Sequence, residues 1–176
     1  MFRRIALLVI AATCTGGAVR AQHDHEASPY AGQQSREIKA LSAEQIVQYR
    51  SGEGMGFALA AELNHYPGPK HVLDLATALE LSGEQLAEVT RIRDAMQADA
   101  RRIGEWIIGR ERRLDHAFAA GTVDDATLRA RVDEIARLQG ELRYVHLRAH
   151  IAVRRELTSE QIRLYDAMRG YGEPVR

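Results

Sequence analysis

The chain has a single cysteine, Cys14, so a disulfide framework is excluded and stability has to come from packing. Lysine is nearly missing. Lys39 and Lys70 are the only two, and almost all positive charge is arginine, whose planar donors and long stem suit adhesive surfaces. A GC-rich genome would give the same bias. There is no excess of either sign of charge, with 24 basic and 24 acidic residues. Losing Arg3, Arg4 and Arg20 with an N-terminal leader leaves three net negative charges, which points to neither a nucleic-acid nor a membrane-surface partner. No segment sustains the alternation of a half-buried strand, so the fold class is all-α. The longest apolar run near the start, Ile5 to Ala12, is too short to span a bilayer. No G-x-S-x-G occurs, and the glycines of Ser51-Gly52-Glu53-Gly54-Met55-Gly56 do not spell a nucleotide fingerprint. No catalytic constellation is present, and an enzyme is not expected.

What the chain does contain begins with an export signal. Met1-Phe2-Arg3-Arg4 is a basic start, an apolar run follows, and Val19-Arg20-Ala21 offers a small-residue cleavage site, so residues 1–21 read as a secretory signal peptide. Ala11-Ala12-Thr13 before Cys14 fits a lipid-attachment box poorly. Residues 22–40 are polar without an apolar stripe and read as a disordered leader. His23 and His25, beside Asp24 and Glu26, either hold a metal loosely or form a solvated tail. Residues 41–69 read as short helices broken by Gly/Pro-rich turns, residues 70–170 as the main helical domain, and residues 171–176 as a frayed tail.

One pattern recurs. Leu41-Ser42-Ala43-Glu44-Gln45, Leu81-Ser82-Gly83-Glu84-Gln85 and Leu157-Thr158-Ser159-Glu160-Gln161 share one form. Each reads as a helix start, with Ser or Thr as N-cap, Gln reaching back to the cap's own amide, and Glu in the first turn where the helix dipole favours it. Each is stapled by an apolar pair: Leu41 with Ile46, Leu81 with Leu86, Leu157 with Ile162. Val123-Asp124 repeats the logic with Thr127 in place of Gln, after a stop at Gly121. Between these starts, Leu86, Val89, Met96, Ala100, Ile103, Ile107, Leu114 and Phe118 recur at three- and four-residue steps. Leu128, Val132, Ile135, Gln139, Leu142, His146, Ala149 and Val153 form a second, coiled-coil-like seam. Val72, Leu75, Ala76 and Leu79 extend a shorter helix from His71.

The copies at Leu81–Gln85 and Leu157–Gln161 resemble the LTxxQ motif of the Spy/CpxP family, a group that includes zinc-resistance-associated and nickel/cobalt-sensing periplasmic proteins. The resemblance covers about residues 70–170. It implies a periplasmic envelope-stress protein and an elongated antiparallel helical hairpin with short flanking helices. It also implies a cradle-like homodimer covering a helix that, from Ser82 to Ala119, would overhang a compact monomer. A membrane-bound sensor or an unfolded periplasmic client is the implied partner.

Two functional readings remain open from the residues. His146 and His150 leave one side of a helix four residues apart, a spacing that can chelate a transition metal, although Leu147 rules out the zinc-protease motif. His71 lies ten residues before Leu81, while His146 and His150 lie eleven and seven before Leu157. If the two corners adjoin, the three histidines share one level. Asp74 adds an oxygen one turn from His71, and Glu62-Leu63-Asn64-His65 adds an E-x-x-H pair. The metal reading takes these residues as ligands for Ni, Co, Cu or Zn. The absence of histidine from Gly170 to Arg176 speaks against zinc storage. His116 reads as a cation at a helix C-terminus. The second reading is an ATP-independent chaperone of the Spy type, with Ile103, Trp106, Ile107 and Ile108 exposed among arginine stems to hold clients.

Overall fold

The three repeated motifs become helix starts because each satisfies the orphan amides of its first turn. In the computed structural model, which describes residues 28–172, Gln45, Gln85 and Gln161 each donate a backbone N–H to Ser42, Ser82 or Thr158 at 3.1, 3.1 and 3.2 Å. The same three glutamines accept the cap's N–H at 2.8, 3.0 and 2.9 Å. Asp124 and Thr127 form a fourth reciprocal box. These starts open α1 (Ala43–Ser51), α4 (Gly83–Ala119), α5 (Asp125–Glu156) and α6 (Ser159–Arg169), with short α2 (Leu59–Glu62) and α3 (Pro69–Asp74) between the first two. The expected signal peptide and the His23/His25 pair lie outside the described residues. Among the described residues there is no strand and no helix long and apolar enough to cross a membrane.

The two long helices pack as an antiparallel hairpin turned at Gly121, whose φ of 64° suits glycine. Arg110–Glu134, Asp99–Arg148 and Gln85 to the Glu156 carbonyl tie three successive levels of it. The α4 rod is about 55 Å long at 1.5 Å per residue. Toward the hairpin turn, Phe118 of α4 and Val132 of α5 are exposed.

Two apolar clusters fill the residues from Gly32 onward. The first joins Ile38, Leu41, Ile46 and Tyr49 to the middle of α4 and α5. The second joins Val72, Leu79, Leu157 and Tyr165 to the other end of the hairpin. Each fully buried aliphatic side chain contributes roughly 1.5–3 kcal/mol, so α1 and α6 are held by these clusters rather than by propensity. Met96 packs against both clusters.

Several expectations are corrected. The leader assigned to residues 22–40 is docked over its last part: Ile38 is fully buried and Lys39 donates to Asp115 through both its backbone and its ammonium. One apolar anchor and two ion pairs, Lys39–Asp115 and Glu37–Arg112, fix a polar stretch that has no periodicity. The glycine-rich turn after α1 is also packed, with Gln97 and Arg101 donating to the Ser51 carbonyl. The helix from His71 ends at Asp74, and turns continue to Glu80, whose φ is 50°. Ile103, Ile107 and Ile108 are buried, not exposed for clients; only Trp106 of that set is exposed, with Arg102 over its ring at 4.7 Å. α4 is covered by α1 on one side and α5 on another, which widens its buried face beyond a single stripe.

Candidate metal centre

The place where the two clusters meet is polar. On α5, Val145 belongs to the first cluster and Ala149 to the second, and beside these two stand His146 and His150. A cleft of about 390 Å³ opens there, lined by both histidines, by Met96 of α4, by the Ser51–Gly54 turn and by Gly68 and His71 at the start of α3. The three histidines expected to share a level therefore line one cavity. Asp74 and His65 are not on its wall.

His146 is 2% exposed, yet its Nε2 has no hydrogen-bond partner. Its ring stacks on Phe57 at 6.2 Å. Burial, and then the neighbouring His150, push its pKa down to about 4, so the ring is neutral at pH 7 and carries a lone pair. His150 Nδ1 donates to the Tyr66 carbonyl at 2.7 Å. A carbonyl only accepts, so the proton is on Nδ1 and the lone pair of the neutral ring is on Nε2. Metal-binding histidines are oriented this way, by a carbonyl or carboxylate on the far nitrogen. His71 is half-buried; burial first, then the Arg169 guanidinium, lower its pKa. These groups fit a metal in donor chemistry: three imidazoles lining one cleft, one of them with a buried nitrogen left unsatisfied. They do not yet converge. Among the described residues no three His, Cys, Asp or Glu side chains are close enough together to hold an ion.

Glu62 lies behind the cleft rather than on it. Its Oε2 is 3.6 Å from His150 Nδ1, its Oε1 accepts from the Tyr165 hydroxyl, and Arg169 Nε stands 3.6 Å away. Gly68 is the lid over this pair. A Cβ there would stand 3.0 Å from His150 Cε1 and 3.3 Å from Glu62 Oε2. His65, the other half of the E-x-x-H pair, turns to Asp166 at 2.7 Å, so the two residues serve different partners. Asp74 pairs with Lys70 at 2.8 Å and approaches His71 at 3.6 Å on the exposed side.

A model of the family described as heavy-metal resistance matches residues 54–163, more than half of the chain. The chain belongs to the heavy-metal-resistance family. That family sits within the Spy/CpxP-like helical group to which the LTxxQ motif pointed. No curated protein and no solved structure matches the chain. The heavy-metal-resistance match takes in all three histidines and the cleft lining except Ser51, Gly52 and Glu53, and it leaves out the Leu41 copy of the motif.

Sequence reasoning missed Met96, Gly68 and Phe57. Met96 was read as one more apolar position, which it also is. Gly68 and Phe57 gave no signal, because their roles depend on how the loops on either side of α2 fold over α5.

Proposed function

We propose that this is a periplasmic heavy-metal-sensing or resistance protein that binds a transition metal through His146 and His150, with His71 completing the site from the opposite wall. The observation that carries the reading is the unpartnered, buried Nε2 of His146, a residue that lines one cleft with the other two histidines. A buried polar atom without a partner costs about 1–3 kcal/mol, and a bound ion would remove that cost. The metal would supply a fixed positive charge linking α3 and α5, while the chain's own part is to present neutral nitrogens and hold His150 in one tautomer. The reading needs no chemical turnover. It is supported by family membership, by the export signal and by the donor chemistry of the cleft.

Titrating the purified protein with Ni, Co, Cu and Zn tests it. One stoichiometric site, lost in His146→Ala, is the expected result. No binding of any of the four, together with suppression of client aggregation, would favour the chaperone reading.

A further inference from the structure

The lining of the cleft carries more than histidine. Met96 of α4 lines the cleft together with His146 and His150, and it is partly buried against both apolar clusters. We propose that the ion this cleft takes is soft and monovalent, Cu(I) or Ag(I), held by the imidazoles of His146 and His150 and the thioether of Met96. This rests on the metal-binding reading above and narrows it, with Met96 in place of His71 as the third ligand.

Three observations carry it. The first is ligand number. A divalent ion of the zinc or nickel type asks for four or more hard or borderline donors, and no three His, Cys, Asp or Glu groups converge among the described residues. Two imidazoles and a thioether suit a soft ion of low coordination number. The second is charge. Arg93 and Lys70 line the same cleft, and its one carboxylate, Glu53, is exposed and accepts from Ser51 Oγ at 2.9 Å. Glu62 stands on the far side of the His150 ring, against Nδ1. Desolvating a double charge in such surroundings costs far more than desolvating a single one. The third is apolar enclosure: Phe57 covers the His146 ring, and the cluster residues around Met96 give a low-dielectric wall that suits a weakly hydrated soft cation.

The test uses the full chain under reducing, anaerobic conditions. Cu(I) affinity is measured by competition with a chromophoric Cu(I) chelator, Zn(II) and Ni(II) affinity by direct titration, and the copper ligands by X-ray absorption. Met96→Leu nearly conserves volume, and a thermal melt checks that it folds like wild type. The expected result is that wild type shows sulfur scattering at copper and takes up Zn(II) and Ni(II) only weakly, and that Met96→Leu loses the sulfur scattering with Cu(I) affinity down roughly tenfold or more. If Met96→Leu binds Cu(I) as tightly as wild type while His146→Ala loses Zn(II) or Ni(II), the soft-ion assignment is overturned and the metal-binding function stands. If wild type binds none of these ions, both fall.

Discussion

The side-chain amides of Gln85 and Gln161 exchange two hydrogen bonds, at 2.9 and 3.0 Å, across the two corners of the fold. Each Oε1 also accepts from its own N-cap amide. Each Nε2 also donates to a carbonyl of the other corner, Gln85 to Glu156 at 2.7 Å and Gln161 to Leu79 at 3.1 Å. Both donors and both acceptor sites of each amide are therefore used. Glutamate would serve a capping box as well as glutamine does, but it has no N–H to give to the opposite corner.

Gln161→Glu is therefore expected to destabilise more than Gln161→Ala. The carboxylate would face the Leu79 carbonyl and Gln85 Oε1, both acceptors, while alanine leaves room for water. A loss of about 2–3 kcal/mol for Glu and 1–2 for Ala, read from urea unfolding at pH 7, is the predicted order. Equal losses would mean that the cross-corner bonds contribute nothing.

Gly104 is where α1 crosses α4. A Cβ on residue 104 would stand 2.3 Å from the Tyr49 carbonyl oxygen, which is backbone and cannot turn aside. Gly104→Ala should cost about 3 kcal/mol or more by displacing α1, at the upper end of ordinary point substitutions. Gly140 has nothing within 4 Å of its added Cβ, so Gly140→Ala in the middle of α5 should stabilise by about 0.5–1 kcal/mol. Thermal melts of the two variants moving in opposite directions would check both.

The metal-free protein should weaken as pH falls. The folded pKa of His146, about 4, lies below its unfolded value of 6.5, so the folded state favours the neutral ring. Its contribution is complete above the unfolded pKa and is lost as pH drops through 6.5 toward 4. At 1.36 kcal/mol per unit, the loss amounts to about 2–3 kcal/mol. Urea midpoints of wild type and His146→Leu, compared at pH 7 and pH 4.5, should show a steeper fall for wild type. Parallel falls would place the acid sensitivity elsewhere.

Gly68→Ala should separate binding from stability. Its φ of −82° suits any residue, so the backbone is not strained. The new methyl would press on His150 Nε2, 3.2 Å away, the nitrogen proposed as the metal ligand. Metal affinity is expected to fall about tenfold or more in an isothermal titration, with a melting temperature close to wild type. Unchanged affinity would remove Nε2 from the ligand set.

How much of this was legible in the sequence follows from the range of each interaction. The helix starts at Ser42, Ser82, Asp124 and Thr158 were readable because a capping box closes within four residues. The shared level of His71, His146 and His150 followed from counting residues to two corners, given that the corners adjoin. The burial of Ile108 was not legible, since it lies off the one stripe expected on a helix that two neighbours cover. Ile38 was missed because a lone apolar residue in a polar stretch has no period to reveal it.

The sequence by itself determined that the described chain is helical, where its long helices begin, and which imidazoles can reach a common height, because all of these depend on hydrogen bonds and spacings internal to one helix or turn. Only the tertiary structure decided that Gln85 and Gln161 bond to each other, that Glu62 stands behind His150, and that Met96 lines a cleft with two histidines. Those juxtapositions join residues 50 to 100 positions apart. They come from how α1, α3 and α6 close over the hairpin, which no local period encodes.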